Sequence, residues 1–394
     1  MNNKDSVFIA SGARTPMGSL QGSLADLSAV DLGARAIKEA IVRAGIDGDE
    51  VEETIMGCVL TSGLRQAPAR QAAMDAGIPV TSGATTINKL CGSGMKAVML
   101  SHDLIKAGTN EIMVAGGMES MTNSPYILMK ARDGMRMGHG EVQDSMFTDG
   151  LEDAQSGRSM GSFAQEVADQ YQLTREEMDE FAIQSLKRAQ SAIGSGLLKA
   201  EIVPITISKK KGEVTILNDE QPHKADIARI PKLRPAFKQD GTITAANSSS
   251  ISDGASALVL ASGRAVLEKD LTPMAKFVAH DTNSIEPSRF TVAPIGAIQK
   301  VIEKAGWGKD DVDLFEINEA FAMVTMLAIQ ELALDPQKVN IHGGACAQGH
   351  PIGSSGSRII VSLIHALQIT GKKKGIAALC IGGGEANAIA IEMV

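Results

Sequence analysis

"GSGMKAVMLSHDLIKAGTNEIMVAGG", residues 92–117, reads as a small-residue turn, an amphipathic helix, an apolar strand and a pair of glycines. The same order returns in "GSSGSRIIVSLIHALQITGKKKGIAALCIGG", residues 353–383. Upstream of each, "AGIDGDEVEETIMG" from Ala44 and "AGWGKDDVDLFEIN" from Ala305 share an Ala-Gly pair, an acidic turn and a central valine. The separation of Val51 from Gly94 recurs, to within one residue, between Val312 and Gly356. Two motifs that keep their spacing mark a duplicated unit rather than a chance match. Strand and helix alternate in each half, which predicts an α/β fold of mostly parallel sheets covered by helices, two halves packed about a pseudo-twofold axis.

The first half, residues 1–120 and 246–270, is interrupted by residues 121–245, which have no counterpart in the second half, residues 271–394. Long insertions of this kind commonly carry a binding surface. The first half resumes with "NSSSISDGASALVLASG", whose apolar tail matches the terminal "EANAIAIEMV" in position and character. That match decides how to read the glycines of "CIGGG", residues 380–384. A dinucleotide-binding turn needs a helix and a second strand after it, and only one short strand follows Gly384.

With 44% apolar and 21% charged residues the chain is neither disordered nor fibrous. Its net charge of -8 disfavours nucleic acid and anionic membrane as partners, and no stretch is long and apolar enough to suggest a membrane span. Four cysteines and an opening "MNNKDSVFIASG" without signal-peptide character point to free thiols in a reducing, cytoplasmic setting.

Cys91 stands between a strand and "GSG" at the start of the first half's long helix. A thiol there faces the positive end of the helix dipole and free N–H groups, so its thiolate is expected to be favoured. His350 lies just before the matching helix of the second half. Taken alone, Cys91 also reads as a small buried residue and His350 as a structural histidine. Together, at equivalent helix starts of two facing halves, they are the pair that thiolate activation requires. Cys380 adds a second thiol beside the N–H groups of its glycines. His342, Cys346 and His350 would align as metal ligands on a helix, but Gly343, Gly344, Gly349 and Pro351 argue against a helix there, and no metal is expected.

"ARTPMGSLQGSLA", "NKLCGSGMKAV", "AGGMESM", "LRPAF", "NEAFA", "GHPIG" and "CIGGG", in this order from end to end, resemble the thiolase family, most closely its biosynthetic type. The resemblance implies duplicated halves in a five-layer αβαβα arrangement with an inserted α+β loop domain, and a homodimer or homotetramer. It implies that two acetyl-CoA condense to acetoacetyl-CoA and free CoA, or the reverse thiolysis, with CoA thioesters as substrates and no further cofactor. A thiolase acting on longer 3-ketoacyl-CoAs is the nearest alternative.

By the same resemblance Cys91 would carry the acyl group and His350 would accept its proton. Cys380 would act as acid or base at the second acetyl-CoA, Asn318 would help to stabilise a thioester oxygen, and the N–H groups of Cys91 and Gly382 would form an oxyanion hole. Phe237, Ser249 and the insertion's basic segment, with His223, Lys224 and Arg229, match the CoA-binding region. Met160 matches the acyl pocket, and Phe321 of "NEAFA" lies beside it. The chain departs from the family pattern at His223, Cys346, Gln348, "EAN" after "CIGGG", and "FTVAPIGAI". A decarboxylating condensing enzyme is disfavoured by Cys380 and "NEAFA". A non-catalytic acyl-CoA-binding relative is disfavoured by the presence of Cys91, His350, Cys380 and Asn318 together.

Overall fold

The computed structural model describes residues 6–210 and 212–394; the first five residues and Lys211 of the basic run lie outside the described part. The first half contains β1 (Val7–Arg14), β2 (Gly18–Ser19), α1 (Ala29–Ala44), β3 (Glu53–Gly57), α2 (Pro68–Asp75), β4 (Gly83–Ile87), α3 (Ser93–Lys106) and β5 (Ile112–Ser120). After it come the hairpin β6 (Tyr126–Ile127) and β7 (Gln143–Asp144), helices α4 (Met160–Gln170) and α5 (Arg175–Gly194), the hairpin β8 (Ile205–Lys209) and β9 (Gly212–Ile216), and the one-turn α6 (Gln221–Lys224). The first half returns with β10 (Ser252–Ser262) and α7 (Gly263–Glu268). The second half runs β11 (Ala275–Ser284), α8 (Ala293–Ala305), β12 (Leu314–Ile317), α9 (Ala322–Leu332), α10 (Ala345–Gln348), α11 (Ile352–Thr370), β13 (Lys374–Ile381) and β14 (Glu385–Met393).

The repeated Ala-Gly pair has a local cause. Gly45 and Gly306 end α1 and α8 in the left-handed region, at φ 70° and 68°, where a side chain would be strained. The acidic turns that follow, Gly48–Glu50 and Lys309–Asp311, then lead into β3 and β12.

The strand order β12-β13-β14-β11-β1-β10-β5-β3-β4 is the same sequence of roles read outward from its centre, where β1 and β11 pair antiparallel at Val7–Phe277, Phe8–Lys276 and Ile9–Ala275. An isolated parallel bridge from Phe315 to Val339 stands where β4 pairs with β3 in the first half. The expectation of mostly parallel sheets needs correction. Only β3, β4 and β5, and β12 with β13, are parallel; β10 and β14 run antiparallel to their neighbours. Gly382–Gly384 form too tight a turn for a crossover, so β14 must return beside β13 as a hairpin strand.

Apolar packing defines five layers. Helices α1 and α2 cover the outer face of the first half-sheet, and α8 and α9 cover that of the second. Between them α3 and α11 pack on both half-sheets. α11 is buried continuously from Ile352 to Leu367, its polar Ser354, Ser355, Ser357, Arg358, Ser362 and His365 included. The two central helices approach closely at their starts: a Cβ on Gly94 would lie 2.6 Å from Ser357 Oγ, and one on Gly356 2.5 Å from the Met95 nitrogen. Small residues at both helix starts thus bring the loop of Cys91 close to the start of α11, where Cys91 packs in one cluster with Ile352.

The segment between β5 and β10 is tied to the core by a buried arginine. Arg14 donates to Glu201 at 2.6 Å and to both oxygens of Asp219 at 2.7 and 3.0 Å. Among the described residues no helix is long and apolar enough to cross a membrane.

Candidate active site

Cys91 sits in the loop that turns into α3, between Leu90, held at φ 48°, and the helix cap Gly92. Its own N–H and that of Gly382 point at the thiol. Burial nevertheless dominates: it pushes the Cys91 thiol up to about 11, and the Glu119 carboxylate acts in the same direction. This overturns the expectation of a favoured thiolate, because the helix start cannot offset the loss of water. Cys380, near the end of β13, is fully buried, and its thiol is raised well above the usual range by burial and then by Cys91. The resting site therefore holds two neutral thiols.

His350 is fixed by Ser355. Assigning the single Ser355 hydroxyl proton to the Pro351 carbonyl, 3.0 Å away, makes the ring nitrogen the donor in the 2.5 Å contact between His350 Nδ1 and Ser355 Oγ. In that tautomer the lone pair is on Nε2, which is buried and has no hydrogen-bond partner among the described residues. Burial and the nearby Arg358 guanidinium push His350 down to about 3, so the ring is neutral across the physiological range. It is a base whose free nitrogen is kept for something other than the protein.

Asn318 follows β12, with its N–H on the Ala378 carbonyl. Its Oδ1 accepts from Arg358 Nη2 at 3.3 Å, which leaves Nδ2 buried and unpartnered. Arg358 in turn donates to Gln348 Oε1 at 3.4 Å, and Gln348 Nε2 donates to the His342 carbonyl at 3.2 Å. One guanidinium therefore depresses His350 and turns the amide of Asn318. α10 places a single helical turn within the 342–350 segment, where none was expected; Gly349, at φ 106°, ends it before His350. His342, Cys346 and His350 do not come together as a ligand set, and Cys346 donates instead towards the Glu319 carbonyl at 3.6 Å.

Met160 and Phe321 share an apolar cluster with Cys380. Phe237 stands edge-on to Phe321, ring centroids 6.1 Å apart, and covers Gly161, where any Cβ would collide with the ring. Ser249 donates both N–H and Oγ to the Ala320 carbonyl at 3.0 Å, so its hydroxyl oxygen remains an acceptor. His223 and Lys224 are exposed on α6, which packs beside α10, and Arg229 is exposed in the turn Ile227–Lys232. Lys224 is already paired with Glu220.

Comparison with known proteins agrees with this arrangement. Residues 7–264 match the model described as "Thiolase, N-terminal domain", and residues 271–393 match "Thiolase, C-terminal domain". The chain belongs to the thiolase family. It is 47% identical over 386 residues to the acetyl-CoA acetyltransferase of Escherichia coli, covering 98% of both chains. It is 48% identical over 391 residues to acetyl-CoA acetyltransferase 1 of Arabidopsis thaliana, covering 98% of this chain and 94% of that one. Among solved structures, Acat5 thiolase from Ascaris suum in complex with coenzyme A superposes with a TM-score of 0.94 at 42% identity, over 99% of this chain and 100% of that one. The Bacillus anthracis acetyl-CoA acetyltransferase gives 0.96 at 41%, over 99% of both.

Three features of this thiolase's site escaped the sequence reading. Ser355 and Arg358 lie within the repeat used to find the fold, yet a serine and an arginine on a helix announce no partner. Glu119, within "AGGMESM", accepts from the N–H groups of Val59, Leu60 and Gly353 at 3.1, 3.1 and 2.9 Å, and so joins the loop after β3 to the start of α11. Lys89, two residues before the nucleophile, pairs with Glu385 at 2.5 Å. The departure "EAN" thus clamps the glycine turn of one half to the cysteine loop of the other.

Proposed function

We propose that this thiolase condenses two acetyl-CoA to acetoacetyl-CoA and CoA by a ping-pong mechanism through an acyl-cysteine. The carrying observation is a pair of neutral thiols, Cys91 and Cys380, with the N–H groups of Cys91 and Gly382 at the nucleophile, in a chain that also leaves His350 Nε2 and Asn318 Nδ2 buried without partners among the described residues.

In the first step Cys91 Sγ attacks the thioester carbonyl as its proton passes to His350 Nε2. Because the two groups are far apart in proton affinity at rest, attack and transfer are coupled rather than preceded by an ion pair. The C–S bond to CoA breaks, and the departing thiolate takes the proton of Cys380. The Cys380 thiolate then removes a proton from the methyl carbon of the second acetyl-CoA, and protonated His350 with Asn318 Nδ2 stabilises the enolate oxygen. The enolate carbon attacks the acetyl group on Cys91, whose oxyanion is held by the N–H groups of Cys91 and Gly382. Cys91 leaves as thiolate and recovers its proton from His350, so all three groups are restored. Preorganised donors of this kind are each worth about 2.7 to 4 kcal/mol.

In this reading Met160 and Phe321 border the acyl group, and Phe237 and Ser249 contact the pantetheine side. The basic segment with His223, Lys224 and Arg229 serves the nucleotide end. A homo-oligomer and a reducing, cytoplasmic setting belong to the same reading. They are supported by the exposed apolar run of Tyr126, Leu128, Met129, Met135 and Met137, by the edge strand β4, and by four free cysteines. Incubation with acetyl-CoA should add one acetyl group to the peptide holding Cys91. A label elsewhere, with Cys91→Ser still turning over, would sink the assignment. Steady-state rates on acetoacetyl-CoA against longer 3-ketoacyl-CoAs decide between the short-chain reading and its longer-chain alternative.

A further inference from the structure

Far along α3 from the nucleophile, three side chains from the two halves converge on one oxygen. Asp103 Oδ1 lies 2.9 Å from His102 Nδ1 and 2.8 Å from His280 Nε2, so a ligand atom from each residue lies within 4.8 Å of the others. His102 and Asp103 come from α3 of the first half, and His280 comes from β11 of the second. The two imidazoles meet edge to face, 5.2 Å between centroids, and Phe277 stacks on His102 at 4.2 Å. The aromatic packing fixes ring orientation from behind, while Asp103, 52% exposed, leaves the oxygen side open to solvent. No residue of the acyl-transfer site takes part.

We infer that His102, Asp103 and His280 form a binding site for a divalent transition metal of the zinc class, placed across the seam between the halves. Two imidazoles and one carboxylate are a ligand set for such an ion, with the fourth position left to water. Binding exchanges two hydrogen bonds to Asp103 for two nitrogen–metal bonds and one oxygen–metal bond. The opposing charges are Lys106, one turn further along α3, and Lys304 beside β11, the latter already paired with Asp281 at 2.8 Å. Because the ligands come from both halves, the ion would clamp α3 to β11 and stabilise the fold without entering the reaction.

Cobalt(II) is the probe that separates this site from the active-site thiols. Added to chelator-treated full-length protein, it should bind once per chain with visible d–d absorption and without the near-ultraviolet band of a thiolate ligand. Zinc should raise Tm in the same preparation. His280→Gln should weaken cobalt binding at least tenfold and abolish the zinc-dependent rise in Tm, with thiolase turnover unchanged. Asp103→Asn, at an exposed position, repeats the test should the histidine variant fail to fold. Equal binding by the variants, a thiolate charge-transfer band, or no binding at millimolar cobalt would each overturn the site.

Discussion

The loop before α3 and the loop before α11 are the same device built twice and used for opposite purposes. In each, small residues let a helix start lie against the other helix, and each delivers one reactive side chain. The first loop holds Cys91 in a part-buried position, with its own N–H and that of Gly382 directed at the thiol. The second buries His350 against Ser355 and a charged lattice that includes Arg358, Glu316 and Gln348. Backbone suffices to hold an oxyanion, whereas a base must have its tautomer and proton affinity set by side chains. The duplication supplied two helix starts, and divergence divided nucleophile from base between them.

The largest effect should come from separating those tasks. In acylation Cys380 only protonates a CoA thiolate that water can protonate instead, whereas condensation needs it as the carbon base, so Cys380→Ala should still transfer acetyl to Cys91 in a single turnover, at a reduced rate, yet lose about 10²- to 10⁴-fold in condensation, the range for a positioned acid or base. Rapid-quench mass measurement of acetyl-enzyme checks the first step, and acetoacetyl-CoA formation checks the second. Equal loss in both steps by a folded variant would break the division between halves.

Asn318→Ala comes next. It removes one preorganised donor from the second half and should lower kcat by about 10²- to 10³-fold with little change in acylation. Gln348→Leu sharpens the comparison, since it leaves Asn318 in place but releases Arg358 from one partner. A kcat loss intermediate between wild type and Asn318→Ala, with KM unchanged, is expected if Arg358 turns the amide. An unchanged kcat would show that Arg358 needs no support from Gln348.

How far the sequence carried this picture depends on whether partners were near in the chain. Duplication was legible because its marks are local: the Ala-Gly helix ends, the acidic turns and the small residues before α3 and α11. Cys91, His350 and Cys380 were legible as types at helix starts and a strand end. Strand direction was not, because β10 and β14 take their places through an insertion and a glycine turn rather than through helical crossovers. The proton affinities were not legible either. A helix start predicts a lowered thiol, but the burial that raises Cys91 instead comes from apolar clusters that include Ile352 and Ile381, hundreds of residues away. Arg358 looked like one more helical residue until Asn318 and Gln348 were seen to face it.

Buried carboxylates give the comparison a pH signature. Burial pushes Glu316, in the second half, from 4.5 up to about 8, and Glu119, in the first, from 4.5 up to about 7. A carboxyl raised by folding contributes stability that is complete below its unfolded value and is lost as pH rises through the folded one. His350, depressed from 6.5 to about 3, works oppositely: its contribution is present above 6.5 and lost as pH falls towards 3. Above pH 6.5, where the His350 contribution is complete, Tm should therefore decline towards pH 8, and Glu316→Gln should flatten that decline by a few degrees. An identical Tm–pH curve for the variant would place the titration elsewhere.

The smallest effect tests the ion pair that joins the cysteine loop before α3 to the glycine turn after Cys380. Lys89 and Glu385 are both partly screened from solvent, with 23% and 31% of their side chains exposed, and pairs of this kind are typically worth about 0.2 to 1 kcal/mol. Glu385→Gln should then reduce kcat/KM by no more than about fivefold. The loss should shrink at high salt, because screening weakens the pair in wild type while leaving the variant as it was. Exchanging the charges in Lys89→Glu with Glu385→Lys should recover part of the rate. A loss that ignored salt and survived the exchange would mean that Glu385 acts through its hydrogen bond to Ser284, 3.2 Å away and also in the second half, and that the loops hold their register without a charge between them.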